Sequence, residues 1–212
     1  APSDLKINYI NEKKLKNYCK KLITIDDNYN RKFASDIIIN YSPVISKKIY
    51  KRKCLNKTRL FLGEKFNFIS KEKYLKNPNI SESQKKKLNI LIYFGTNDRS
   101  NLIDKIKKKM VNNEIINKVY SFNKKKIVPH RTFLKKIEQS DLLLISSGVT
   151  LQEGLQMKKM IFATFFSKNQ KNFYKYYKKK RLINDLGSFE NFIKFGIKKI
   201  NLTLNQNKSK IK

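Results

Sequence analysis

The stretch that most constrains the fold is residues 140–170, SDLLLISSGVTLQEGLQMKKMIFATFFSKNQ. Leu142 to Ser146 is a short apolar run bounded by turn signals. Such a run suits a parallel strand covered on both faces. Ser146, Ser147 and Gly148 then make a turn with almost no side chain. The spacing of Leu151, Leu155 and Met157 predicts a helix over residues 150–157, and Met160 to Phe166 reads as a second apolar strand. Strand, small turn, helix and strand form a βαβ unit. The turn lies where backbone N–H groups are unpaired and the helix dipole is positive. A phosphate fits there if no Cβ blocks it. Thr150-x-x-Glu153 also has the spacing of a capping box, which closes helix starts in proteins that bind nothing. Spacing alone leaves both readings open.

The rest of the chain falls on either side of a linker. Residues 11–21 have helical spacing, with Leu15, Tyr18, Cys19 and Leu22 as an apolar stripe. Leu22 to Ile25 reads as a strand ending in Asp26 and Asp27. Paired carboxylates at a strand end can do acid–base work. The commoner role of Asp in turns is to bind loop amides. Asp36 to Asn40 is a second strand, residues 44–57 are basic and without periodicity, hence loop, and residues 58–62 and 66–69 are extended around Gly63. Lys71 to Lys87, with Pro78, Asn79, Ser81 and Ser83, is the linker. The expected domains are therefore residues 1–75 and 76–200, followed by a basic tail, 201–212, that frays.

In the second domain Leu88 to Phe94 is an apolar strand broken by Gly95. The polar loop 95–98 leads to a helix over 101–111, with Leu102, Ile103, Ile106 and Met110 on one face. That loop opens on the cleft of an open α/β sheet, unless it is simply a structural turn. Residues 115–122 and 127–128 are extended, split by the basic turn 123–126, and a short helix covers 133–139. His130, the only histidine, follows Pro129. It titrates near neutrality, yet without a carboxylate partner to orient it a catalytic role has little support. Lys168, Asn169 and Gln170 follow the second strand of the βαβ unit and face the same crevice. Asn and Gln donate and accept at once, which suits sugar hydroxyls; they also cap helices. Residues 171–183 form a helix with Phe173, Tyr177 and Leu182 inward, and 188–195 another, capped by Ser188, with Phe189, Phe192 and Ile193 inward.

Net charge is +33. Such a balance favours nucleic acid or an anionic surface. The lysines, however, are spread along the whole chain and Arg is scarce, whereas nucleic-acid readers cluster their cations and rely on Arg forks. Nucleic-acid binding is therefore the lesser reading. An apolar fraction of 40% supports a packed core. Cys19 and Cys54 have no metal spacing and read as two buried thiols in a reducing compartment. No 18-residue apolar run exists, so no membrane span is expected, and a cytoplasmic protein follows by default.

SSGVTLQEGLQ, followed by an apolar strand and KNQKN, resembles the nucleotide-sugar half of the GT-B glycosyltransferases. LITIDD (22–27) and DIIIN (36–40) resemble the last strands of the amino-terminal domain of that family, and NILIYFGTND (89–98) the opening of its carboxyl-terminal domain. Together these blocks are most similar to the family of UDP-2,4-diacetamido-2,4,6-trideoxy-altropyranose hydrolases of pseudaminic acid synthesis and their spore-coat polysaccharide relatives. The resemblance implies a GT-B-like α/β fold: a doubly wound, Rossmann-like parallel sheet after a truncated amino-terminal α/β domain. It implies a UDP-sugar ligand, no cofactor, and release of UDP from an amino-sugar nucleotide; glycosyl transfer is the alternative. Ser147, Gly148, Val149 and Thr150 would hold the diphosphate and Glu153 the ribose hydroxyls. Residues 128–131, His130 among them, and Gly95 would border the nucleotide, and Lys168, Asn169 and Gln170 the sugar. Asp27 and His130 are the candidate catalytic groups. The family opens with a Gly-rich loop bearing a catalytic His, which this sequence lacks; a second chain is one expected source for it.

Overall fold

A computed structural model describes residues 7–27, 29–68, 87–95, 102–111, 114–122 and 128–202. The expected linker 71–87 (but for Lys87), the loop residues 96–98, the turn 123–126 with Ile127, and most of the tail lie outside them. The chain divides into two compact units, Ala1–Ile69 and Ser70–Lys212.

The first unit is a three-stranded parallel sheet, order β1-β2-β3, built from β1 (Ile23–Ile25), β2 (Ile37–Asn40) and β3 (Arg59–Leu62). Helix α1 (Tyr9–Lys16) precedes it and α2 (Lys47–Lys51) links the last two strands. The core is small: Phe33, Ile38 and Tyr50. Several expectations need correction. Helix α1 stops at Lys16, so Tyr18 and Cys19 lie beyond it, exposed, and Leu15 is exposed as well. The residue the helix buries is Glu12. Of the two thiols expected inside, only Cys54 is even half-buried. Residues 47–51 form a helix rather than loop because Tyr50 has a place in the core. A 3-10 turn (Glu64–Phe66) replaces the expected extended segment at 66. Asp26 does structural work: it accepts hydrogen bonds from the Tyr29 amide and the buried Tyr50 hydroxyl. Asp27 is exposed.

The second unit is a five-stranded parallel sheet, order β5-β4-β6-β7-β8. Its strands are β4 (Leu88–Tyr93), β5 (Ile116–Ser121), β6 (Leu142–Ser146), β7 (Met160–Phe165) and β8 (Asn184–Ser188). Helices α3 (Leu102–Val111), α4 (His130–Gln139), α5 (Val149–Gln156) and α6 (Lys168–Lys179) join them in turn. All five residues of β6 are buried. Leu142 and Leu144 join a core with Ile103, Ile106 and Met110 of α3 and Phe189 and Phe192 of the carboxyl-terminal segment. Leu143 and Ile145 join a second core with Phe133 and Ile137 of α4, Leu151 of α5, and Tyr174 and Tyr177 of α6. Helices thus cover both faces, as an apolar parallel strand requires. This is a Rossmann-like α/β arrangement. A Cβ on Gly154 would lie 2.5 Å from Leu143 Cδ1, so the glycine lets α5 press close to β6.

Here too the structure departs from expectation in places. Helix α4 begins at His130, three residues early, and α5 at Val149 with Gly148 as its N-cap, so Thr150 and Glu153 are not a capping box. On α6 the inward aromatics are Tyr174 and Tyr177; Phe173 is partly buried and Leu182, beyond the helix, is 46% exposed. Strand β8, whose sequence NDLGS carries no strand pattern, forms the far edge of the sheet. After it α7 (Phe189–Asn191), capped by Ser188, passes into a π-helical turn (Phe192–Gly196). The wider turn leaves Ile193 exposed and keeps Phe189 and Phe192 inside. Among the described residues no helix is long and apolar enough to cross a membrane.

Glu12 offers a test of the first unit. Its carboxylate accepts from Arg31 at 2.7 Å, the Ala34 amide at 2.6 Å and the Thr24 hydroxyl at 2.9 Å. Burial opposes its ionisation, but these donors and the Arg31 charge outweigh that and hold the carboxyl below its usual value of 4.5. Its stabilising contribution is therefore complete above that value and disappears as pH falls through the lowered one. Glu12→Gln should destabilise the unit by about 1–3 kcal/mol at neutral pH. It should also flatten the acid loss, read by amide exchange at Ala34; an unchanged acid profile refutes the assignment.

Candidate functional site

The sheet steps from β4 to β5 by way of α3 on one face. It steps from β6 through β7 to β8 by way of α5 and α6 on the other. The direction of winding reverses between β4 and β6. In doubly wound sheets ligands bind at this switch point, outside the carboxyl ends of the strands. Here those ends carry Tyr93 to Gly95 after β4 and Ser146 to Gly148 after β6.

Register builds the second of these turns. Ser146 pairs with Thr164 of β7, and the Ser147 amide and hydroxyl both donate to the Thr164 carbonyl, at 2.9 and 3.1 Å. Ser147 is fully buried and its donors are spent, so it holds the turn rather than offering a group to a ligand. The donors that remain are the amides of Gly148, Val149 and Thr150, which have no partner among the described residues. Leu151 is already bonded to the Gly148 carbonyl. Gly148 is extended, with φ −165°, and a Cβ there would meet nothing within 4 Å. Neither backbone strain nor a neighbouring atom requires glycine; the space in front of it is open. Gly95 is different: its φ of +67° lies in the left-handed region that favours glycine.

Glu153 lies one helical turn beyond these amides, with a side chain only 5% exposed. Its Oε1 is 2.9 Å from Nε2 of His130, at the first position of α4. The fold thus supplies the carboxylate partner that sequence reading could not name for His130. Oε2 of Glu153 has no partner among the described residues. Tyr93, at the end of β4, is part of the same cluster. Burial, and then the Glu153 charge, push its phenol above the ordinary range. Its ring packs on Phe133 of α4 with centroids 4.7 Å apart, and Phe133 in turn packs on Phe122 at 5.4 Å. Tyr93 escaped the sequence reading because it stands at the end of an apolar strand, where an aromatic ring reads as core.

The residues expected at the sugar do local work. The side-chain Oε1 of Gln170 accepts from the Phe166 amide and the side-chain Oδ1 of Asn169 from the Gln170 amide, both at 2.9 Å. This is the helix-capping alternative. Lys168 and Asn169 are exposed at the start of α6, at the same edge of the sheet. Asp27 belongs to the other unit. Among the described residues no three His, Cys, Asp or Glu side chains converge as metal ligands.

No family model matches the sequence. The chain is similar to an uncharacterized protein of Methanocaldococcus jannaschii, 27% identical over 196 residues, which cover 79% of this chain and 40% of the relative. The chain thus spans less than half the length of the curated relative it matches.

Gly148→Ser tests whether the turn is built for clearance. Serine is a favoured N-cap and the backbone there suits any residue. The variant should melt within about 0.5 kcal/mol of the parent, or above it. A loss beyond about 1 kcal/mol would mean that the fold itself requires glycine there.

Proposed function

We propose that the switch-point site binds a UDP-activated amino sugar. In this reading the diphosphate lies against the Gly148, Val149 and Thr150 amides, and the ribose diol donates to Glu153. The observation that carries it is the state of Glu153: a largely buried side chain whose Oε1 is met by an exposed histidine and whose Oε2 has no partner among the described residues. Oε2 is not fully enclosed, so it is open to a donor from outside the protein. A vicinal diol supplies two donors, and a charge-assisted bond to a carboxylate is among the strong ones. The diphosphate in turn meets unpaired N–H groups at the positive end of α5.

Resemblance to the GT-B hydrolases supports the choice of ligand, the two-domain GT-B arrangement, and the reaction. The oxygen of water bonds to the anomeric carbon with inversion, the bond from that carbon to the diphosphate oxygen breaks, and UDP leaves with the electron pair. The proton of the attacking water goes to a base. In the resembled family that base is a histidine in the amino-terminal Gly-rich loop. His130 hydrogen-bonds Glu153 through Nε2, and this scheme gives it no part in the proton transfer. The general surplus of positive charge draws an anionic nucleotide to the surface, with an effect that salt weakens.

Isothermal titration with UDP tests the reading. The parent chain should bind. Glu153→Ala should weaken binding by at least about tenfold, the worth of hydrogen bonds to a charged group, and Gly148→Ser should weaken it by filling the space before the amides. Equal affinity in parent and both variants removes the site.

A further inference from the structure

His130 has no role in the binding scheme just given, yet its Nε2 reaches Glu153 from another helix at 2.9 Å. Its ring is 70% exposed, so its own packing does not fix it. What fixes it is the start of α4. Pro129 precedes it as N-cap, and the amides of Thr132 and Phe133 both donate to the Pro129 carbonyl. Phe133, one turn on, packs against both Tyr93 and Phe122. The first turn of α4 is thereby pinned to the ends of β4 and β5, and His130 is held over the end of α5. A carboxylate only accepts, so at 2.9 Å Nε2 must carry the proton.

We propose that His130 is a positioning residue of this site: its Nε2–H holds Oε1 of Glu153 and so leaves Oε2 directed at the hydroxyls of the ligand. The inference rests on the nucleotide-sugar reading and deepens it. A carboxylate on a free side chain samples several rotamers, and each one away from the ligand lowers affinity. With Oε1 tied to α4, the second oxygen is presented in one orientation, and the carboxylate still has lone pairs for two hydroxyl donors. The effect is confined to the diol, because the diphosphate is held by main-chain amides that His130 does not touch.

The test pairs two ligands with three proteins. UDP and its 2′,3′-dideoxy analogue are titrated into the full chain, His130→Ala and His130→Gln. His130→Ala should lose about three- to tenfold in affinity for UDP, the range of one hydrogen bond, and nothing for the dideoxy analogue. His130→Gln, which can donate an N–H to the same oxygen, should recover UDP affinity to within about twofold. Equal losses for both ligands would make His130 merely structural and overturn the inference, as would an alanine variant that binds UDP like the parent. Parent protein that binds neither ligand overturns the underlying reading, and this one with it. Binding that depends on Glu153 but not on His130 overturns this one alone.

Discussion

The arrangement of the larger unit depends on the complete burial of β6. A strand with no exposed residue must have helices on both faces and a neighbouring strand on either side. That requirement puts β4 and β7 beside it, divides Leu142 and Leu144 from Leu143 and Ile145, and fills two separate cores. It also fixes where the strand ends. Ser147 donates twice to the Thr164 carbonyl, so the chain is tied to β7 at the moment it leaves the sheet. The first free amides then come at Gly148 and after. The position of the candidate site is thus a consequence of sheet register, not of the turn residues alone.

The two units treat a buried glutamate in opposite ways. Glu12 has three donors, one of them a guanidinium, and needs nothing further. It ties α1 to the segment after β1 and accounts for a helix whose apolar side chains are otherwise exposed. Glu153 has one donor, from a side chain mostly in water. The buried amide oxygens of Gln152 and Gln156 on the same helix also lack partners. These are neutral and less costly to leave unmet than a carboxylate. Glu12 is closed off by its own donors, whereas Glu153 keeps an oxygen that another molecule can reach.

Much of this was legible in the sequence. Apolar runs located β4, β6 and β7 because strands buried on both faces have few polar residues to blur them. The small residues 146–148 located the turn, and the resemblance carried by SSGVTLQEGLQ singled out Glu153. The failures share a cause: local pattern was overridden by partners distant in the chain. NDLGS has the composition of a turn, yet it is an edge strand because β7 pairs with it and the Thr164 hydroxyl donates to the Gly187 carbonyl. The basic segment around Tyr50 shows no periodicity, but one buried ring recruits it as a helix. The stripe of Leu15, Tyr18 and Cys19 had helical spacing, and the helix ended before it was complete. His130 was isolated in sequence, and its partner lies 23 residues away, across β6.

The geometry around α5 also limits the order of groups on any ligand. The amides sit at the positive end of the helix, and Glu153 is four residues from Val149, about 6 Å along the axis. An anionic group placed near Glu153 would be repelled, and a neutral donor placed at the amides would waste them. The favourable ligand has its phosphates at the amino end and hydroxyl donors about one helical turn further on. A nucleoside diphosphate has that order of groups, whereas a free phosphate or a simple sugar satisfies only one half. On the proposed reading, then, the α5 turn selects for a molecule in which both halves are covalently joined, since the second contact is made without a further loss of translational freedom.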